Sequence, residues 1–302
     1  MATARAIASG NWSATSTWNG GVLPGNGDTV YANGFTVTID QNINIGGANN
    51  PIVNAGSFVS GQWYEITSTG TTTFTSIGAA SNAVGTIFQA NGVGSGTGQA
   101  RARATLTTAT NTAAGATTGG GGFSMSSSYN MTCDLRASTT TCLTVSGATN
   151  VSFNAILLVG STQYAITHNG SGTLTFRNIP TINTINSIIN NTGTIDIADC
   201  ILQNPNAAGH LLSNPNGNLI LNNCTLNAGN QTASNCILSS GNGTITASSC
   251  FIYGNLNNSP SIRNSGVGAM VFNNCIVTGS NGFAVFNSGT LTISFSNINA
   301  GV

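Results

Sequence analysis

From Gly172 onward, apolar and polar residues follow a unit that returns six times: GTLTFRNI, GTIDIADC, GNLILNNC, GTITASSC, GAMVFNNC and GTLTISFS, starting at Gly172, Gly193, Gly217, Gly243, Gly268 and Gly289. The spacings are 21, 24, 26, 25 and 21 residues. In each unit the second and fourth residues after the glycine are apolar: Leu174 and Phe176, Ile195 and Ile197, Leu219 and Leu221, Ile245 and Ala247, Met270 and Phe272, Leu291 and Ile293. Alternation with period two marks a strand with one buried face. The residue between is mostly threonine (Thr175, Thr246, Thr292), a good strand former that is at ease in water. A second short strand precedes each glycine, as in YAITHNGSG and HLLSNPNG, and a third follows it, as in CILQN, CTLNAG and CFIYG. Three short strands divided by Asn, Gly and Ser turns, recurring every 21 to 26 residues, predict an all-β fold: a single-stranded parallel β-helix with one repeat per coil. One coil cannot bury its own inner face, so the units must stack.

Stacking gives meaning to other positions. The seventh residue after the glycine is Cys200, Cys224, Cys250 and Cys275 in four successive units, which predicts an inward row of thiols about 4.8 Å apart. Just before them stand Asn178, Asp199, Asn223, Ser249 and Asn274, small polar groups suited to tight turns and to hydrogen bonding along the stack. With Cys133, Cys142 and Cys236 the cysteines number seven and include no CxxC pair. An odd count without paired spacing argues against a disulfide framework, and a straight row does not converge tetrahedrally on zinc. Buried free thiols, no metal and no cofactor are expected.

Two weaker coils precede the repeat, FSMSSSYNMTCDLRAS and TCLTVSGATNVSFNAILLVG, so the main solenoid is expected over residues 123–302. Residues 105–122, rich in Gly, Thr and Ala, carry no amphipathic signal and read as a joint. Residues 1–53 contain short alternating strands at Thr29–Tyr31, Phe35–Ile39 and Ile43–Ile45, with Trp12 and Trp18 placed to cover an open end of the core. Its signature, W…W…GG..P..GD.V…G..V.ID, resembles the amino-terminal cap of β-helical tail and surface proteins of tailed phages and prophages. Residues 54–104, with YEITSTGTTTFTSIGA and VGTIFQANGVGSGTG, are similar to a small all-β module that recurs in phage tail-fibre and tailspike sequences. The two resemblances span the first third of the chain and imply a virion protein assembled in the host cytoplasm; neither carries catalytic residues over.

Composition then limits the chemistry. Of 302 residues only 12 are charged (6 Arg, 5 Asp, 1 Glu, no Lys) and the formal net charge is zero, whereas 42 are Asn and 39 Gly. A neutral surface offers no basic face for nucleic acid. Nothing approaches the roughly 18 continuous apolar residues of a membrane span, and the first residues lack the apolar run of an export signal. Disorder is excluded by the 40% hydrophobic content and the fixed repeat.

Polysaccharide cleavage by paired carboxylates is the enzymatic alternative. Asp28, Asp40, Glu65, Asp134, Asp196 and Asp199 are the whole acid supply, and only Asp196 and Asp199 are close in sequence. They form either an acidic pair on one coil or, through Asp199 and Arg177, an ion pair between coils. His168 and His210 read as solvated turn residues without a partner suited to a triad. The glycine loop Gly92–Gly98 has neither helix nor lysine behind it, so phosphate binding is discarded. The reading is therefore a non-enzymatic virion protein, expected as a homotrimer in contact with other capsid or tail proteins. It serves as a tail spike or fibre touching a host surface glycan or as a capsid decoration (cement) protein. The rival classes are a cleaving tailspike enzyme and a secreted bacterial adhesin.

Overall fold

The computed structural model describes residues 3–47, 50–110, 116–117, 121–138, 140–154, 158–159, 164–177, 180–182, 188–203, 210–228, 235–254, 260–279 and 284–300. Asn178 of the polar turn row lies outside them, as do parts of the 105–122 stretch. Among the described residues the chain forms three parallel sheets of 11, 10 and 9 strands, wound as a β-solenoid of about ten turns, and one antiparallel sheet of four strands. Helical structure among them is confined to the 3-10 segments Thr15–Thr17, Asn19–Gly21 and Phe74–Ile77. From Thr29 on, each coil visits the three large sheets in the same order: Ile188–Asn190 lies in the 10-stranded sheet, Thr194–Ala198 in the 9-stranded sheet and Ile201–Gln203 in the 11-stranded sheet.

The alternating residues of the repeat stack as columns. Leu174, Ile195, Leu219, Ile245, Met270 and Leu291 are register partners in turn, as are Phe176, Ile197, Leu221, Ala247, Phe272 and Ile293. All but the last pair are buried, and Phe153 stacks on Phe176 with ring centroids 4.7 Å apart. Each buried Leu, Ile or Phe contributes about 1.5–3 kcal/mol, so the stack is held by many modest, equivalent terms.

Polar columns fix the corners. Asp199, Asn223, Ser249 and Asn274 all adopt a left-handed backbone (φ 51 to 55°), the region that Asn and Asp tolerate best among residues with a Cβ. Asn223 Nδ2 donates to Asp199 Oδ1 (2.8 Å), and Asn274 Nδ2 to Ser249 Oγ (3.2 Å). The next residue is the buried cysteine row; its thiols donate to the carbonyls two residues back, at 3.1 Å for Cys200 and 3.2 Å for Cys224 and Cys250. All seven cysteines are free and buried.

A second, internal column was not apparent from the repeat. His168, Asn190, Asn214, Ser239 and Asn264 are fully buried at the end of the strand preceding each repeat glycine. His168 Nε2 meets the carbonyl of Gly172 (2.9 Å), while Asn190, Asn214 and Asn264 donate Nδ2 to those of Gly193 (3.1 Å), Gly217 (2.9 Å) and Gly268 (2.7 Å). This explains the glycines. A Cβ on Gly193 would collide with the His168 ring, and one on Gly217 with the Asn190 amide.

Two expectations change. The strands Thr29–Tyr31, Thr36–Ile39 and Ile43–Asn44 already belong to the three large sheets, so the stack starts well before Phe123. Thr105–Thr107, within the stretch read as a joint, is a buried solenoid strand whose Leu106 stacks between Val30 and Leu135. The four-stranded module of Ile52–Asn54, Trp63–Ser68, Ile87–Gln89 and Gln99–Ala102 is inserted between Ile43–Asn44 and Thr105–Thr107, at one corner of a coil. One coil is thereby split by more than 50 residues, and three residues of TLT are too few to show a period. The module has its own core, in which Phe58, Tyr64, Phe74 and Phe88 pack with centroids 4.9–6.0 Å apart.

Candidate functional surface

The acidic residues do not assemble into a catalytic pair. Asp196 points outward between Thr175 and Ile220, and its Oδ2 accepts from Arg177 Nη2 at 3.0 Å. Arg177 thus pairs with Asp196 of the next coil and not with Asp199, whose carboxylate accepts from Asn223. The chain turns the left-handed corner at Asp199, which directs its side chain along the corner column and away from the strand face. Asp40 accepts from Ser13, and Asp28 from the Gly25 amide, both within the first coils.

Neither histidine is a solvated turn residue. His168 is fully buried in the inner column, and burial holds its pKa below the ordinary value. His210 accepts from the Asn235 amide at Nδ1 (3.1 Å), and burial, then the Arg263 charge, lower it too. His168 meets the Gly172 carbonyl and His210 the Asn235 backbone N–H, so their roles are packing and hydrogen bonding. In the Gly92–Gly98 loop, Gly94 and Gly96 have positive φ, and a Cβ on Gly96 would press on Thr71 and Thr72. The glycines there let two module loops approach; they do not form an anion cradle.

A charged cluster that no sequence spacing announces joins the module to the solenoid. Arg103 donates Nε and Nη2 to Asp134 (2.6 and 2.7 Å) and Nη1 to Glu65 (2.7 Å). Burial alone would lower its pKa, but Asp134 and Glu65 hold it above the ordinary value. Beside it the buried Arg136 guanidinium lies 3.2 Å from the Trp63 ring centroid, and burial lowers its pKa to about 9. These residues come from strands far apart in sequence and meet only because the module leaves and re-enters at one corner.

The accessible surface with the most distinctive chemistry is the outer face of the 11-stranded sheet. There Ile201, Thr225, Phe251 and Ile276 are register partners, and the next outward column runs Gln203, Asn227, Tyr253 and Thr278. Ile201, Tyr253 and Ile276 are exposed, and Phe251 packs edge-on against Tyr253 with centroids 3.9 Å apart. An apolar stripe bordered by amides and hydroxyls, without a charge in it, is chemically a protein-packing face with hydrogen-bonding margins. Among the described residues no cluster of three or more His, Cys, Asp or Glu could hold a metal ion, and no helix is long and apolar enough to cross a membrane. Comparison with protein families, curated proteins and solved structures returned no match for the chain.

Proposed function

We propose that the protein is a non-enzymatic structural component of a tailed-phage particle, a β-solenoid that associates with copies of itself through the outer face of its 11-stranded sheet. The observation that carries this reading is the uncharged column of Ile201, Thr225, Phe251 and Ile276 with Tyr253 beside it, apolar at all but Thr225, which closed association would cover. Threefold packing is the symmetry we favour, because each copy offers one such flank and the remaining two faces stay free for the particle or the host. The resemblance of residues 1–53 and 54–104 to phage cap and module sequences supports the virion assignment. Asp196 and Asp199, each engaged by a neighbouring coil, argue against a cleaving enzyme.

The test is the copy number of the chain relative to the major shell protein in purified particles, by quantitative mass spectrometry. A ratio near that of the shell protein assigns capsid decoration, and a few copies in a multiple of three assign a tail spike or fibre. Absence from particles overturns the proposal. Loss of capsule breakdown on Asp196→Asn would instead establish the enzymatic reading.

A further inference from the structure

Four successive coils place a cysteine at the same inner corner. Cys200, Cys224, Cys250 and Cys275 follow one another at 24, 26 and 25 residues, so the position is kept while the length of the coil changes. The coils are in register there: the Thr225, Phe251 and Ile276 amides donate to the Cys200, Cys224 and Cys250 carbonyls at 2.9, 2.8 and 2.9 Å. All four side chains belong to the buried core and none is in a disulfide. Cys250 interacts directly with the sulfur of Cys224 on one side and with that of Cys275 on the other.

Filling this corner does not call for sulfur. Ser296 holds the equivalent place one coil after Cys275, where its hydroxyl accepts from the Cys275 amide (2.9 Å) and donates to the Ser294 carbonyl (2.8 Å). What four thiols add is a line of soft donors at a fixed repeat. Strands of neighbouring coils lie about 4.7–4.9 Å apart. A metal–thiolate bond is about 2.3 Å, so a cation held in line between two sulfurs spans about 4.6 Å. The straightness that denies zinc its four convergent ligands therefore fits an ion that takes two. Copper(I) is the soft monovalent ion among those that thiolates select. A short way in exists, because each thiol stands one residue behind an exposed turn residue: Asp199, Asn223, Ser249 or Asn274.

We propose that adjacent thiols of this row hold a soft monovalent cation of the copper(I) class in two-coordinate sites between successive coils. For each ion one S–H bond breaks and one S–metal bond forms, the proton leaves to solvent, and the second sulfur donates a lone pair. No electrons are transferred, and exchange of one proton for one monovalent ion adds no net charge to the core, which spares it the cost of a buried charge. Among the described residues no group of three or more His, Cys, Asp or Glu converges, which leaves the row to ions satisfied by two ligands. The site is independent of the virion assignment and of association through the flank.

The probe is silver(I), soft, monovalent and without redox chemistry of its own under these conditions. The full chain, reduced and kept free of oxygen, is titrated with silver(I) against a competing small thiol; native mass spectrometry counts the bound ions and X-ray absorption identifies their neighbours. Wild type should retain silver with two sulfur neighbours, and its urea midpoint should rise, because an ion held between folded coils stabilises the native state. Cys250→Ala removes the sulfur shared by two of the gaps, so it should retain fewer ions and lose most of that rise. Cys250→Ser, the residue type found at Ser296, should do the same and covers the case in which alanine unsettles the coil. Cys236→Ala, which removes a buried free thiol outside the row, should retain as many ions as wild type. Equal retention by wild type and Cys250→Ser, or more than two sulfur neighbours, would overturn the proposal. So would a urea midpoint that silver lowers, since the thiols would then be binding only after the coils open.

Discussion

Asn214 is fully buried, and both of its Nδ2 protons are used: one goes to the Gly217 carbonyl at 2.9 Å and the other to the Thr244 carbonyl at 3.1 Å. Asn214→Leu removes both of these bonds and the one its Oδ1 accepts from Asn190, so it should cost about 2–4 kcal/mol, read from urea unfolding. His168 occupies the same column and supplies a pH dependence. Its pKa is lowered in the folded state, so the unfolded chain binds more protons near its ordinary value. The stability it contributes is complete above about pH 6.5 and falls as pH drops through and below that value towards the folded pKa. His168→Asn, the residue found one coil later, should flatten the fall in urea midpoint between neutral and mildly acidic pH; an unchanged slope would assign the dependence to His210.

At the scale of elements, the junction of module and solenoid rests on Arg103. Arg103→Met removes the guanidinium that bridges Glu65 and the buried Asp134, which should destabilise the protein by about 3–5 kcal/mol. Adding Asp134→Asn should restore part of that loss in a double-mutant cycle. The solenoid was legible from the six glycine units because Leu219 and Leu221, or Ile195 and Ile197, alternate within one short strand, and each unit repeats its neighbour. The inner column escaped the same reading because it mixes residue types, His168, Asn190, Asn214, Ser239 and Asn264, at three or four residues from the repeat glycine. The pairing of Arg177 was half legible: sequence placed it one coil from an acid, but only the left-handed corner at Asp199 leaves Asp196 as the partner. Glu65, Arg103, Asp134 and Arg136 carried no signal, since their proximity is created by the inserted module. The exposed flank was legible only as polarity; the register that lines up Ile201 with Phe251 and Ile276 follows from repeat lengths that no single strand reveals.

For the molecule as a whole, zero net charge and an apolar flank predict association that salt barely alters. Replacing Ile201 and Ile276 together by Asp should lower the oligomer mass in light scattering while leaving thermal unfolding of the remaining fold nearly unchanged, because both side chains face outward. A drop in unfolding temperature without a change in mass would point to a flank that stabilises the single chain. The corner insertion has a wider consequence. Because the chain departs after Asn44 and returns at Thr105 to the stack it left, the coil above and the coil below are built as if nothing intervened. Such a corner is a cassette port. Recombination can exchange what hangs from it for another self-contained unit, and new surface chemistry can be acquired in one step at the price of re-matching the few side chains around Arg103.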